Sequence, residues 1–438
     1  MPSRRSFLRN AGAGLALASS TGAVLSPGSS VGQVPDRPDS RLSLPPSIAG
    51  LKSMKALAKP ITADERRARI ERARRLMAES KMDAVVLMEG TSLAYFSNIR
   101  WWGGERFFAL ILPAKGRPFF VCPAFERDRA EEQIAQSPFG GASDIRIWEE
   151  DESPYLLVAE GLRDQGLASA RLGMEETINF VFSEGVSKAA PALTILSGTL
   201  VTAGCRMRKS EHEIELMRLA AKVTITAYEA AWKSLKPGMT QHQLAEFIDA
   251  AYSQLGFPGE VSVNVGKYSA SPHGSVRPQT IREGDMVMID DGCRVEGYTS
   301  DITRSFVLGK PTDKMRGVFD IVRRAQQAAL ATARPGVEAQ AVDAAARKVI
   351  ADAGFGPGYK YFRHRLGHGM GMDGHEWPYL VRGNTLELEP NMTFSDEPGI
   401  YIQGEFGIRL EDDMLVTENG AELFTGQSAS LEEPFRTS

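Results

Sequence analysis

The chain has few cysteines, few histidines, no excess of positive charge and no long apolar run. Three cysteines, Cys122, Cys205 and Cys293, cannot build a disulfide framework, so a conventional apolar core must hold the fold. Cys293 reads as a small buried apolar residue. Lys and Arg number 51 against 55 Asp and Glu, a formal charge of −4, so no nucleic acid or other polyanion partner is expected. The basic run Arg66 to Arg75 is broken by Ala68, Ile70, Glu71 and Ala73 and reads as a solvated helix face. Beyond the N-terminus no segment is apolar enough to span a bilayer, and no stable membrane insertion is expected. What remains is the composition of a globular protein, 42% hydrophobic and 24% charged, and 438 residues suffice for two or three domains.

The first residues, Ser3-Arg4-Arg5-Ser6-Phe7-Leu8-Arg9, precede a weakly apolar stretch from Ala11 to Leu25. Residues 1–25 resemble a twin-arginine export signal, which implies a periplasmic or exported protein. The alternative is a start at Met54 and a cytoplasmic protein. Residues 26–60 are rich in Pro, Ser and Gly and read as a flexible linker. Thr62 and Glu65 form a capping box that opens a helix to about Lys81. Short apolar runs at 84–88, 107–112, 119–122 and 145–148 alternate with helical stretches such as 155–162. This predicts a small N-terminal α/β domain over residues 61–205.

A second domain, residues 206–438, opens with another capping box, Ser210 and Glu213. A long amphipathic helix follows, with Ile214, Met217, Ala220, Ala221, Ile225 and Tyr228 on one face. Thr240 caps the next helix. Two further helices are expected at 313–333 and 337–353, divided by Arg334-Pro335-Gly336. Helix pairs precede strand pairs twice, a coarse internal duplication.

The strand segments of this domain carry the chemistry. Met286-Val287-Met288-Ile289 is an apolar β-forming run that ends in Asp290, and Asp301 follows eleven residues later. Glu397 lies in Asp396-Glu397-Pro398-Gly399 and Glu411 in Ile408-Arg409-Leu410-Glu411. His368 sits between the two acid pairs. Each acid alone is readable as a surface turn residue, and Asp412 and Asp413 are read so. Four acids at the ends of buried strands would repel one another and cost several kcal/mol each unless compensated. Divalent cations resolve that conflict, and an oxygen-rich pocket with one imidazole suits a pair of them that activates water.

The order Asp290, Asp301, His368, Glu397, Glu411 resembles the superfamily of methionine aminopeptidase, creatinase and prolidase, over about residues 60 to 430. Within it the chain looks most like an Xaa-Pro dipeptidase. The resemblance implies an α+β protein: a C-terminal pita-bread catalytic domain with a smaller N-terminal creatinase-like α/β domain. It implies two divalent ions per chain (Mn, Co or Zn). Asp290 would hold one, Asp301 and Glu411 would bridge, and His368 and Glu397 would hold the second. Glu397 would also serve as general base, and a homodimer acting on Xaa-Pro dipeptides is implied.

By the same resemblance His375 steadies the tetrahedral intermediate, and His273 lines the pocket and assists the leaving group. His364 is expected in the pocket wall. His212 and His242 lie on amphipathic helices and read as solvated. Arg409 is two residues before Glu411, on the same strand face. The resemblance sends it to the substrate's carboxyl end, and its alternative is an ion pair with a ligand acid. Trp101 and Trp102 lie in a loop that would reach a neighbouring active site, unless they are packing residues. One family feature is missing: where a tyrosine is expected before His273, the chain reads Phe257-Pro258-Gly259-Glu260. The rival functions are an Xaa-Pro aminopeptidase on longer peptides, a non-peptidase hydrolase or lyase, and a catalytically dead binding protein.

Overall fold

The computed structural model describes residues 44–436 apart from Trp102. The export-signal reading of residues 1–25, the first part of the linker and Trp102 therefore lie outside the described residues. Residues 44–60 do not behave as a linker. Helix α1 (Pro46–Ala49) buries Ile48 completely. Ser47 Oγ donates to Ala230 O at 2.8 Å, and Met54 N donates to Leu255 O at 2.9 Å. This segment closes the apolar groove between two helices of the second domain, so its polar composition hid an anchoring role.

The N-terminal domain begins with α2 (Ala63–Glu79), whose capping box forms as expected. Its six-stranded mixed sheet comprises β1 (Ala84–Met88), β2 (Ala109–Pro113), β3 (Phe119–Pro123), β4 (Asp144–Trp148), β5 (Arg171–Met174) and β6 (Thr194–Ser197). The spatial order is β4-β3-β2-β1-β5-β6. The three central strands are fully buried, which is why they read as continuous apolar runs rather than alternations. Helices α3 (Thr91–Ser97), α4 (Arg127–Ala135), α5 (Pro154–Asp164), α6 (Phe180–Ala189) and α7 (Thr199–Arg206) complete the domain. Separate apolar clusters pack on the two faces of the sheet.

In the second domain, α8 (Glu211–Trp232) and α9 (Gln241–Leu255) pack behind β7 (Ser262–Val265), β8 (Met286–Asp290), β9 (Arg294–Val295), β10 (Tyr298–Thr299) and β11 (Arg304–Val307). Helices α10 (Asp313–Thr332) and α11 (Ala339–Ile350) back the other half: β12 (Gly367–Gly369), β13 (Glu376–Leu380), β14 (Thr393–Asp396), β15 (Gly399–Ile402), β16 (Phe406–Arg409), β17 (Asp412–Val416) and β18 (Ala421–Leu423). Each half has its own apolar core behind its strands, so the polar strand ends face a common centre. This is the two-domain, mixed α/β pita-bread architecture, with the coarse duplication visible in the repeated helix pairs.

Buried charge pins the two domains together. Arg69 of α2 donates to Tyr95 O at 2.9 Å and to the Tyr298 hydroxyl at 2.7 Å, and lies 3.2 Å from Glu213. Arg206, the last residue of α7, pairs with Asp373 and Glu376 of the second domain, where Lys209 also holds Glu376 at 2.6 Å. His212 is not merely solvated: its Nδ1 lies 2.7 Å from Glu65 and ties the first turn of α8 to that of α2. His242 is exposed.

Asp412 and Asp413 are not surface acids either; both are fully buried. Arg304 donates to Asp412 at 2.6 Å and to Glu411 O at 2.9 Å, and Gln326 donates to Asp412 at 3.0 Å. Removing one partner would strand the other's charge. Asp412→Ala is therefore expected to cost about 3–5 kcal/mol. Denaturant unfolding of the two proteins checks this, and a loss under about 1 kcal/mol, the range of an exposed pair, contradicts the buried-pair account.

Candidate metal centre and active site

Five short chain segments converge. Asp290 ends β8, whose register with β11 pairs Ile289 with Arg304. Asp301 lies in the loop from β10 to β11, with its N–H donated to Asp413 at 3.0 Å. His368 is the middle residue of β12, between β13 and β14. Glu397 follows β14 directly, and Glu411 sits between β16 and β17. A glycine-rich strand carries His368 because its neighbours approach closely. A Cβ on Gly367 would meet Ser395 O at 2.0 Å, and one on Gly369 would meet Glu376 O at 2.7 Å.

These side chains form three overlapping groups whose ligand atoms lie within 4.8 Å: Asp290, Asp301 and Glu411; His368, Glu397 and Glu411; and Asp301, His368 and His375. Together they unite all five expected ligands with His375. His368 Nε2 is 3.4 Å from Glu397 and 3.7 Å from Asp301. Its Nδ1 donates to Gly369 O at 3.1 Å, which turns the Nε2 lone pair toward the acids. Burial holds the His368 pKa near 3, helped by His375, so the imidazole is neutral as a ligand must be.

The carboxyls show what a cation would relieve. Burial, and then the charges of Asp290 and Glu397, push Asp301 well above the usual carboxyl range. Burial, and then Asp301 and Glu397, do the same to Glu411. Burial raises Glu397 to about 8 against the pull of Arg409. Burial also acts to raise Asp290, but the Arg409 guanidinium and the Thr303 hydroxyl outweigh it and hold this carboxyl below its ordinary value. Thr303 Oγ1 accepts from Arg409 Nε at 2.9 Å and has one hydrogen for two acids, Asp290 and Glu411. The donor set thus fits divalent cations: hard oxygens, one neutral imidazole and too few protons.

A pH dependence follows for the ion-free protein. Asp301, Glu397 and Glu411 have folded pKa values above their unfolded ones, so the folded chain binds more protons, and stability falls as pH rises from about 4 through about 8. Chelation is therefore expected to lower Tm more at pH 8 than at pH 5. Scanning calorimetry with and without chelator measures it; equal losses at the two pH values contradict it.

The other expected site residues divide. His375 stacks on His368 with ring centroids 3.6 Å apart and is exposed on its other side. Burial lowers its pKa, with Arg365 and His273 adding to the effect. His273 is exposed on the loop at 271–277, near enough to act electrostatically on His375. His364 is in the wall, as expected. Its Nδ1 donates to Arg365 O at 2.8 Å, and its Nε2 accepts from the Tyr401 hydroxyl at 2.7 Å. Burial holds it neutral, with a pKa near 3.

Arg409 departs from the carboxyl-end expectation and takes the alternative role. Its guanidinium pairs with Asp290, donates to Thr303, and donates to Tyr401 and Pro272 O at 3.2 Å each, so its fork is already occupied. Trp101 is a correction as well. It is buried, stacks on Phe108 with centroids 3.8 Å apart, and belongs to the N-terminal core rather than a substrate pocket.

Sequence reasoning missed Thr303, Tyr401, Ser395 and Asp413. Thr303 had a usable signal, because it lies two residues after Asp301. Tyr401 supplies a buried phenol beside Asp290, linked through Arg409, despite the tyrosine absent before His273. Asp396 and Asp413 retain buried carboxyl oxygens without partners, and burial pushes both pKa values well above the usual carboxyl range.

Fold and site define a two-domain metallohydrolase, and comparison with known proteins narrows the class. Residues 215–418 match the model of metallopeptidase family M24, and residues 69–208 match the creatinase/prolidase N-terminal domain. A probable dipeptidase, PepE, of Mycobacterium tuberculosis is 37% identical over 78% of this chain and 90% of its own. An Xaa-Pro dipeptidase of Lactobacillus delbrueckii subsp. lactis is 33% identical over 83% of this chain and 98% of its own. The crystal structure of dipeptidase PepE from Mycobacterium ulcerans superposes with a TM-score of 0.79 at 33% identity, covering 85% of this chain and 99% of the other. The chain belongs to metallopeptidase family M24, a family of divalent-metal peptidases.

Proposed function

We propose that the protein hydrolyses the Xaa-Pro bond of dipeptides with two divalent ions per chain, manganese, cobalt or zinc. The observation that carries this reading is the convergence of Asp290, Asp301, His368, Glu397 and Glu411 on one centre. Asp290, Asp301 and Glu411 would hold one ion, and His368 with Glu397 the other. When bound, such ions make water nucleophilic near neutral pH and polarise the scissile carbonyl.

The chain's own groups do the rest. Glu397, held by the Ser395 hydroxyl at 3.2 Å, takes the proton of the attacking water. His375 donates a hydrogen bond to the oxygen that gains charge as the carbonyl becomes tetrahedral. His273, on the exposed loop, delivers a proton to the departing proline nitrogen. Arg409 and Thr303 hold Asp290 and Glu411 in place, and Tyr401 with His364 extends that support toward Glu397, whose Oε2 is 3.5 Å from His364 Nδ1.

His375 and His273 are exposed in a single chain. A second copy capping this mouth would exclude longer peptides, so a homodimer is part of the proposal. Export by the arginine-pair signal is the localisation we infer. Burial of Ile48 against α8 and α9 favours a chain that includes residues before Met54.

The test compares Ala-Pro with Ala-Pro-Ala on the metal-loaded protein. Dipeptidase activity predicts turnover of the first with kcat/KM at least about tenfold above the second, roughly 1.4 kcal/mol of discrimination. Preference for the tripeptide would make the enzyme an aminopeptidase, and turnover of neither would remove the proline-peptide reading.

A further inference from the structure

A second polar cavity, of about 310 Å³, lies on the seam between the domains, away from the metal centre. Arg66, Asn98, Arg100, Gln133 and Gln136 of the N-terminal domain line it, with Glu296 from the turn between β9 and β10 of the catalytic domain. The lining is rich in donors. Arg66 gives one amino group to Asn98 Oδ1 at 2.8 Å and another to Ile61 O, while its Nε–H is buried with no acceptor. Gln133, half-buried, accepts the Arg100 N–H through Oε1 at 2.9 Å, which leaves its amide nitrogen available to a ligand in the cavity. Among the described residues, the side-chain nitrogens of Asn98, Gln133 and Gln136 have no acceptor, and neither Arg66 nor Arg100 forms an ion pair. Glu296 is the one acidic side chain in the lining. The acid that acts on Arg66, Glu65, is held by Thr62 and His212.

We propose that this cavity binds a phosphate group, as inorganic phosphate or a phosphate monoester, and so ties the two domains together. The Arg100 guanidinium and three amides, beside the positive charge of Arg66, supply more donors than the two oxygens of a carboxylate accept, and the planar Arg100 fork matches phosphate geometry. The volume leaves room for a small ester substituent. Burial, and then the charges of Arg69 and Arg100, hold the Arg66 guanidinium below its usual pKa, a repulsion that an anion relieves. The ligand would bridge α2, the loop at 98–100 and the turn at 296, which belong to different domains. The inference is independent of the peptide substrate.

Calorimetric titration of the metal-loaded protein tests it, with inorganic phosphate and glycerol phosphate in separate arms, against sodium chloride at matched ionic strength. The expected result is saturable binding of one phosphate group per chain. Arg100→Gln weakens it about tenfold or more, as loss of a charge-assisted contact does, and Glu296→Gln tightens it. Arg66→Gln should abolish it; should that variant fail to fold, the other two carry the test. Tighter binding of glycerol phosphate identifies a monoester as the ligand, and equal or weaker binding identifies inorganic phosphate. No saturable heat in either arm overturns the proposal. So does binding that Arg100→Gln and Glu296→Gln leave unchanged, the result expected of phosphate held at the metal centre. Dipeptide hydrolysis in phosphate-free buffer should be the same for Arg100→Gln and the parent protein.

Discussion

Asp301→Ala is expected to remove bound metal and hydrolysis together, with kcat/KM falling on the order of 10³-fold or more, equivalent to roughly 4 kcal/mol of transition-state stabilisation. Asp301 belongs to two of the three ligand groups and stands 3.7 Å from His368 Nε2. Among the described residues neither adjoining acid, Asp291 or Asp413, joins a ligand group, and Asp413 accepts the Asp301 N–H at 3.0 Å. The variant should nevertheless fold, because it removes one member of a mutually repelling set. In the absence of ions it is expected to be more stable than the parent at pH 8. Metal analysis, steady-state kinetics and thermal unfolding read the three effects separately. Undiminished turnover with no bound metal would place the chemistry elsewhere.

The second large effect is expected at His375. Replacing it by Ala removes the donor that the proposed reaction sets against the carbonyl oxygen, and such losses cost about 10² to 10³ in kcat. Metal content should change little, since His368, Glu397 and Glu411 form a ligand group without it. KM should move far less than kcat, because the hydrogen bond strengthens only as charge develops. A variant with lost metal and normal kcat after reloading would make His375 a ligand. One with unchanged kcat would leave it as a ring stacked on His368 and nothing more.

The two residues differ in how openly the sequence declares them. The convergence of Asp301 with Asp290, Glu397 and Glu411 was legible because buried carboxylates at strand ends have few physical solutions. The apolar run before Asp290 also placed that residue at the end of a strand that does form, β8. Capping boxes at Thr62 and Ser210 announced the helix starts, because their hydrogen bonds are local. What failed was everything set by distant packing. Residues 44–60 look like a tether, yet Ile48 fills a groove formed by residues about 180 to 200 positions later. Asp412 and Asp413 look solvated until Arg304 of β11 and the Asp301 backbone just before it reach them across more than a hundred residues of chain. Trp101 looked like a reaching side chain, and only the stack on Phe108 shows it to be core. Strands β5 and β6 carry too few apolar residues in succession to stand out, and are held by parallel pairing to β1 and to each other.

Arg409 shows the same limit within the site. Its position two residues before Glu411 fixed its face but not its partner. The choice between a substrate carboxyl and a ligand acid depended on β8, more than a hundred residues earlier. The structure seats it on Asp290, where it lowers one carboxyl while burial raises the other three.

The central claim is that five side chains distant in sequence make one binding site for divalent cations. Elemental analysis of the purified protein, after reloading with manganese, cobalt or zinc and removal of free ions, tests it most directly. The account predicts two ions per chain for the parent protein and a loss of both in the Asp301→Ala variant. Uptake of none under any loading condition, in a folded parent protein, would contradict it.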